Sequence, residues 1–133
     1  DRVTIVTDAT MTKLGFVDRI IDVFPPQKQT QIRLQLSMVL QAVVSQQLIP
    51  TIEGGLIPAF EIMVVNQAIR NLIRESKVHQ IDNAIFSGSG EGMVAMDADI
   101  LRLYSEGIIS KENALLYAAN PESLAKKLNY TYH

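Results

Sequence analysis

The spacing of apolar residues changes several times along this chain, and each change marks an element. Val3, Ile5 and Val6 lie in a short β-branched run that predicts a strand over 3–6. Thr10 or Thr12 is placed to cap a helix after it. Val17, Ile20, Ile21 and Phe24 recur at i, i+3, i+4 and i+7, one apolar face of that helix, and Pro25-Pro26 stops it. A long amphipathic helix is then expected over 27–47. Its stripe is Ile32, Leu36, Val39, Leu40, Val43 and Val44, and its polar faces are rich in glutamine. Residues 48–52 and 56–65 flank Glu53-Gly54-Gly55 as a β-hairpin whose glycines permit a tight turn. Pro58 either weakens the second strand or places it at an edge.

After Asn66 the pattern is helical to the end. Residues 67–74 carry Ile69, Leu72 and Ile73 on one face, and 77–86 form a second helix that Ser87-Gly88-Ser89-Gly90 breaks. A third, 92–106, has Met93, Met96, Ile100, Leu103 and Tyr104 on its core side, with Gly107 as the residue after its C-cap. Ser110 caps a fourth over 110–119. Asn120-Pro121 opens a fifth as cap and first helical residue, and the tail past Leu128 is expected to fray. With no repeat and no linker, the expectation is one α+β unit, mostly helical, with a small β-hairpin.

Composition narrows the function. The chain has 133 residues, 47% hydrophobic and 20% charged, an ordinary globular balance. The net charge of -2 argues against a sequence-independent nucleic-acid binder. No cysteine is present, which removes disulfides and thiolate zinc sites, and His79 and His133 are the only histidines. No run approaches the roughly 20 apolar residues of a membrane span, and no signal peptide opens the chain. The first residue is Asp1 rather than methionine, which reads as a fragment or a processed form.

A phosphate-cradling loop needs the pattern G-x-x-x-x-G-K-[ST], and the chain has none. The glycine-rich stretch 87–92 has no lysine and reads as an interhelical loop. No hydrophobic strand ends in an acidic pair that would hold magnesium. The chain alone is therefore expected neither to bind nor to turn over ATP. The most informative run is Ala68-Ile69-Arg70-Asn71-Leu72-Ile73-Arg74-Glu75. Arg70 and Arg74 are four apart, so both project from one side of a helix, where a nearby carboxylate would relieve their repulsion.

That run resembles, residue for residue, the AIRNLIRE signature of PilT-type pilus retraction ATPases. Asp18-Arg19-Ile20-Ile21-Asp22-Val23-Phe24-Pro25 is similar to the family's DRIIDVFP segment. Lys77-Val78-His79-Gln80-Ile81 resembles KTHQI, Gly92-Met93-Val94-Ala95-Met96-Asp97 resembles GMxxMD, and 110–122 resembles the family's ISREEALxxAxDPE ending. The likeness covers about 18–128. It departs at the histidine box, whose TLHT core corresponds to Thr7-Asp8-Ala9-Thr10, with Ala9 in the histidine's place.

The resemblance implies the C-terminal part of a RecA-like motor. Residues 1–26 would end the nucleotide-binding core, with a degenerate histidine box at Thr7, Ala9 and Thr10, and 27–133 would form a C-terminal helical domain. ATP and Mg2+ would bind in the full-length protein, as a homo-hexamer in the cytoplasm at the inner-membrane base of the pilus machine. Its partner would be the platform protein of that membrane, with no nucleic acid and no membrane insertion. Ala68, Ile69, Arg70, Asn71, Leu72, Ile73, Arg74 and Glu75 would carry the retraction function, and Asp18 and Arg19 the junction to the core. The absence of paired CxxC motifs over 45–57 favours the retraction type over assembly ATPases. A catalytically inactive paralogue acting as an interaction module is the alternative, motivated by Ala9.

Overall fold

The β-branched start of the chain is extended as expected, with β1 at Val3–Asp8. The structure is a computed structural model that describes residues 3–8 and 13–130, with side chains described over 17–129. The cap expected at Thr10 or Thr12 lies outside those residues. α1 spans Lys13–Asp22 and buries Val17 and Ile21, four apart, at 0% exposure. α2 (Pro26–Val39) follows, with Pro26 in its first turn, where a missing N–H costs nothing.

The long helix expected over 27–47 ends instead at Val39. From Leu40 the backbone is extended, and β2 runs Leu40–Pro50. The apolar spacing from Val39 to Val44 fits a helix and a half-buried strand alike. Pairing decides between them. β2 is the middle strand of the order β1-β2-β3, parallel to β1 and antiparallel to β3 (Leu56–Val64). Every residue from Ala42 to Pro50 faces a β3 partner, from Val64 to Leu56. The β element is thus a three-stranded sheet, larger than the expected hairpin. In the hairpin turn Gly54 takes φ 94°. Pro58 sits on β3, at the sheet edge, opposite Leu48.

Seven further short elements close the chain. α3 is Gln67–Arg74, with the expected bounds. The helix expected over 77–86 is divided into a 3-10 turn at Val78–Gln80 and α4 at Ile81–Ser87. After a 3-10 turn at Ser89–Glu91, α5 spans Met96–Ser105 rather than starting at Gly92. Gly92 takes φ 83°, and Val94 is drawn out of the helix to bond the backbone of Ile62 in both directions, at 2.8 and 2.9 Å. α6 (Lys111–Tyr117) is capped by Ser110, whose hydroxyl accepts from the Asn113 N–H at 3.1 Å. α7 (Pro121–Tyr130) has Asn120 in that role toward the Ser123 N–H, at 3.0 Å. Gly107 closes α5 at φ 74°, with Gly107 N–H bonded to the Tyr104 carbonyl and Ile108 N–H to that of Leu103.

Two hydrophobic clusters lie against one face of the sheet. Val43 and Met63 join Val17, Ile21, Ile69, Ile73, Ile81 and Ile85 in the first. Ile49 and Ala59 join Ile100, Leu103, Ile109, Leu124 and Leu128 in the second. Burying each large aliphatic side chain stabilises by about 1.5–3 kcal/mol. Met93 packs in the first cluster and Met96 in the second, so the pair is core, as expected, but is split between two sites. The β3 edge is closed by Val94 and by Asp99, whose carboxylate accepts from the Phe60 N–H at 2.8 Å.

Candidate functional site

The signature run occupies α3 almost residue for residue. Asn66 is its N-cap, its side-chain oxygen accepting from the Ile69 N–H at 3.0 Å. Ile69 and Ile73, four apart, are fully buried, and Leu72 packs partly against the same cluster. These three bolt the helix to the core. Its other side, with Gln67, Ala68, Asn71, Arg74 and Glu75, is exposed.

The two arginines do different things. Arg70 is half-buried and turns to the end of α2, where its Nη1 donates to the Ser37 carbonyl at 2.6 Å and to the Met38 carbonyl at 3.1 Å. Both carbonyls belong to the last turn of that helix, so a cation there also opposes the negative end of its dipole. The partner expected from the like-charge spacing was a carboxylate; the partner found is backbone. Arg74 stays in solvent and makes no ion pair among the described residues.

Glu75 is the C-cap, and its carboxylate meets Lys77 Nζ at 2.7 Å. The hydrogen bond and the charge of Lys77 hold the Glu75 carboxyl below its ordinary value. Ser76 then takes φ 63°, left-handed, with its N–H bonded to the Ile73 carbonyl and the Lys77 N–H to the Leu72 carbonyl. Asn71 accepts from the Gln67 amide at 3.1 Å. The exposed stripe therefore offers an amide, a guanidinium and a carboxylate on a helix held at its start, core face, flank and end.

Of the other sequence-predicted residues, Asp18 pairs with Arg33 of α2 at 3.6 Å, and Arg19 is exposed. Arg33 Nη1 is buried with no hydrogen-bond partner. Thr7 lies in β1 opposite Ser45; Ala9 and Thr10 lie outside the described residues. His79 is exposed on its 3-10 turn. Sequence reasoning missed Arg33, and it missed the carbonyls of Ser37 and Met38. No signal pointed to the latter two, because they become free acceptors only once α2 is known to end at Val39.

Within the glycine-rich stretch, Gly88 serves packing. A Cβ at Gly88 would meet Met93 Sδ at 2.7 Å, so the glycine makes room for a core side chain rather than for a ligand. Among the described residues no group of three or more His, Cys, Asp or Glu is arranged to hold a metal, and no helix is long and apolar enough to cross a membrane.

No protein-family model matches the chain. Individual relatives do. The type IV pilus retraction ATPase PilT of Pseudomonas aeruginosa is 47% identical over 107 residues, 80% of this chain and 31% of that protein. A twitching motility protein of Neisseria gonorrhoeae is 43% identical over 110 residues, 82% of this chain and 29% of that protein. The crystal structure of the pilus retraction motor PilT with bound ADP superposes with a TM-score of 0.72 at 37% identity, over 90% of this chain and 32% of that one. The Legionella pneumophila ATPase DotB, at 17% identity and a TM-score of 0.64 over 79% of this chain and 28% of that one, shares the fold. The chain spans about a third of the length of the curated relatives it matches, in their C-terminal part. Across that part, in sequence and in fold, the chain is similar to the C-terminal portion of PilT-type pilus retraction ATPases.

Proposed function

We propose that the chain is the C-terminal part of a hexameric ATPase that powers type IV pilus retraction, and that it passes nucleotide-driven domain movement to the pilus machine. The observation that carries this reading is α3. Its signature run is locked by Ile69, Ile73 and Arg70, while Asn71, Arg74 and Glu75 are exposed to solvent, where a partner can reach them. ATP, with Mg2+, is the substrate of the full-length protein and binds in the part that precedes this chain; the chain alone is inert.

Residues 1–26 form the end of the nucleotide-binding core and 27–133 the C-terminal domain. Pairing of β1 with β2 makes that boundary a shared sheet rather than a tether. Asp18, through Arg33, ties α1 to α2 at the same junction. The motor works in the cytoplasm at the inner-membrane base of the pilus, and its exposed α3 stripe meets the platform protein.

The test is ATP turnover by the full-length parent beside this chain, with pilus retraction scored for Asn71→Ala and Arg74→Ala. Turnover by the parent alone is expected, with both variants hydrolysing ATP and failing to retract. A folded, assembled parent without turnover sinks the motor reading. Variants that retract normally sink the role of the stripe.

A further inference from the structure

The apolar stripe on the covered face of the sheet is interrupted. Positions 43, 45, 47 and 49 of β2 lie opposite 63, 61, 59 and 57 of β3, and together they form the side that meets the helices. Val43 and Met63 lie in the first cluster, and Ile49 and Ala59 in the second. Between them stand Gln47 and the pair Ser45 and Glu61, each of the pair 5% exposed. Glu61 Oε2 accepts from the Met96 N–H at 3.1 Å, and Gln47 Nε2 donates to the Tyr117 carbonyl at 2.9 Å. A polar seam thus crosses the interior. Among the described residues no buried side chain belongs to both clusters.

A domain usually has one contiguous core with smaller satellites. Here α1 to α4 supply the first cluster and α5 to α7 the second. Parting two apolar surfaces is opposed in proportion to their area, whereas the groups of a polar seam can exchange their partners for water. Outside the hairpin, the chain passes from one cluster to the other through 88–95. Gly92 takes φ 83° there, and a Cβ on it would meet nothing within 4 Å, so this glycine serves the turn and not the packing. Lys127 Nζ of α7 lies 5.4 Å from the ring of Phe86 of α4, a link between the two groups of helices, but Phe86 is 68% exposed and the contact is a surface catch. We infer that α5, α6, α7 and the far end of the hairpin form a lobe that opens as one unit, with the seam as its parting plane and Gly92 at its hinge, while α3 and the first cluster stay folded. The signature helix therefore sits in the part that holds. This goes beyond the reading of the chain as part of a motor, and it depends neither on ATP turnover nor on a partner.

Hydrogen exchange of the full-length parent, resolved by peptide mass spectrometry, tests this under conditions where exchange follows the opening equilibrium. Leu103 is fully buried in the second cluster. Leu103→Ala is expected to speed exchange about thirtyfold or more across α5, α6 and α7 together, with α3 and α4 unchanged. Ile109→Val, which removes one methylene from the same cluster, gives the comparison in a protein that keeps its fold, at about fivefold across α5 to α7 with α3 again unchanged. An equal rise in α3 and α4 overturns the inference, since the two clusters would then open as one. A rise confined to the turn around the substituted residue overturns it too, since no lobe would then open as a unit.

Discussion

Arg70 Nη1 lies 2.6 Å from the carbonyl oxygen of Ser37, so the signature helix reaches across to finish a different helix. The contact joins two elements that the sequence separates by the whole of β2 and β3. It also separates the two arginines of the signature by role.

Arg70→Ala should lower unfolding stability by about 1–2 kcal/mol, the range for a charged hydrogen bond that is partly exposed. Arg70→Lys should recover only part of this, since one ammonium does not reproduce a planar fork over two carbonyls. Arg74→Ala should stay within about 0.5 kcal/mol. Urea unfolding of the three variants checks this, and equal losses at both arginines would refute the division.

Ser76 is left-handed at φ 63°, immediately after the signature. Ser76→Gly should raise stability by about 0.5–1 kcal/mol, because glycine takes that conformation without a Cβ clash. Thermal unfolding decides; a loss would mean that the serine side chain makes a contact stronger than the strain it carries.

Glu75 should titrate below 4.5, its ordinary value, because Lys77 bonds and attracts its charged form. A depressed folded value means that the contribution is present above about 4.5 and is lost as pH falls through the lower folded value. Lys77→Met should return the Glu75 titration, followed by carboxyl NMR shifts, toward 4.5. An unchanged curve would exclude the pair in solution.

Asp99 accepts from the Phe60 N–H and from Arg102 Nε, both at 2.8 Å, and is 8% exposed. Asp99→Ala leaves a strand-edge donor without its acceptor and should cost about 1.5–3 kcal/mol. It should also increase aggregation on partial unfolding, as an opened edge does. Arg102→Ala should cost much less, since half of that side chain is in water.

Arg33 pairs with Asp18 at 3.6 Å while its Nη1 is buried without a hydrogen bond. Arg33→Met removes a desolvated charge and should be neutral or stabilising by about 1 kcal/mol, whereas Asp18→Asn, which strands the cation, should destabilise. The opposite order in denaturant unfolding would show that the pair is a net contributor.

Local signals were legible in the sequence where one residue sets one turn. Ser110 and Asn120 start helices, Gly107 ends one, and Gly54 turns the hairpin, each where expected. The bounds of α3 followed from the spacing of Ile69, Leu72 and Ile73, whereas its cap, Asn66, emerged only in the structure. What failed depended on distant partners. Val39, Leu40, Val43 and Val44 satisfy two periods at once, and only β1 and β3, from either side, select the strand. Val94 leaves a helical pattern because Ile62 needs an edge partner. In the site, the buried anchors of α3 were legible, while the direction of Arg70 was not, since its acceptors lie 33 and 32 positions back.

The passage from α2 to β2 has a mechanical meaning. Val39 is the last helical residue and Leu40 the first of the strand, with no connecting loop. A loop would absorb rotation as slack; here a twist applied to α2 passes as torque straight into the central strand. Arg70 grips the two carbonyls just ahead of that joint. The signature helix thus sits where a lever meets its beam, and a push on its exposed stripe is felt by both.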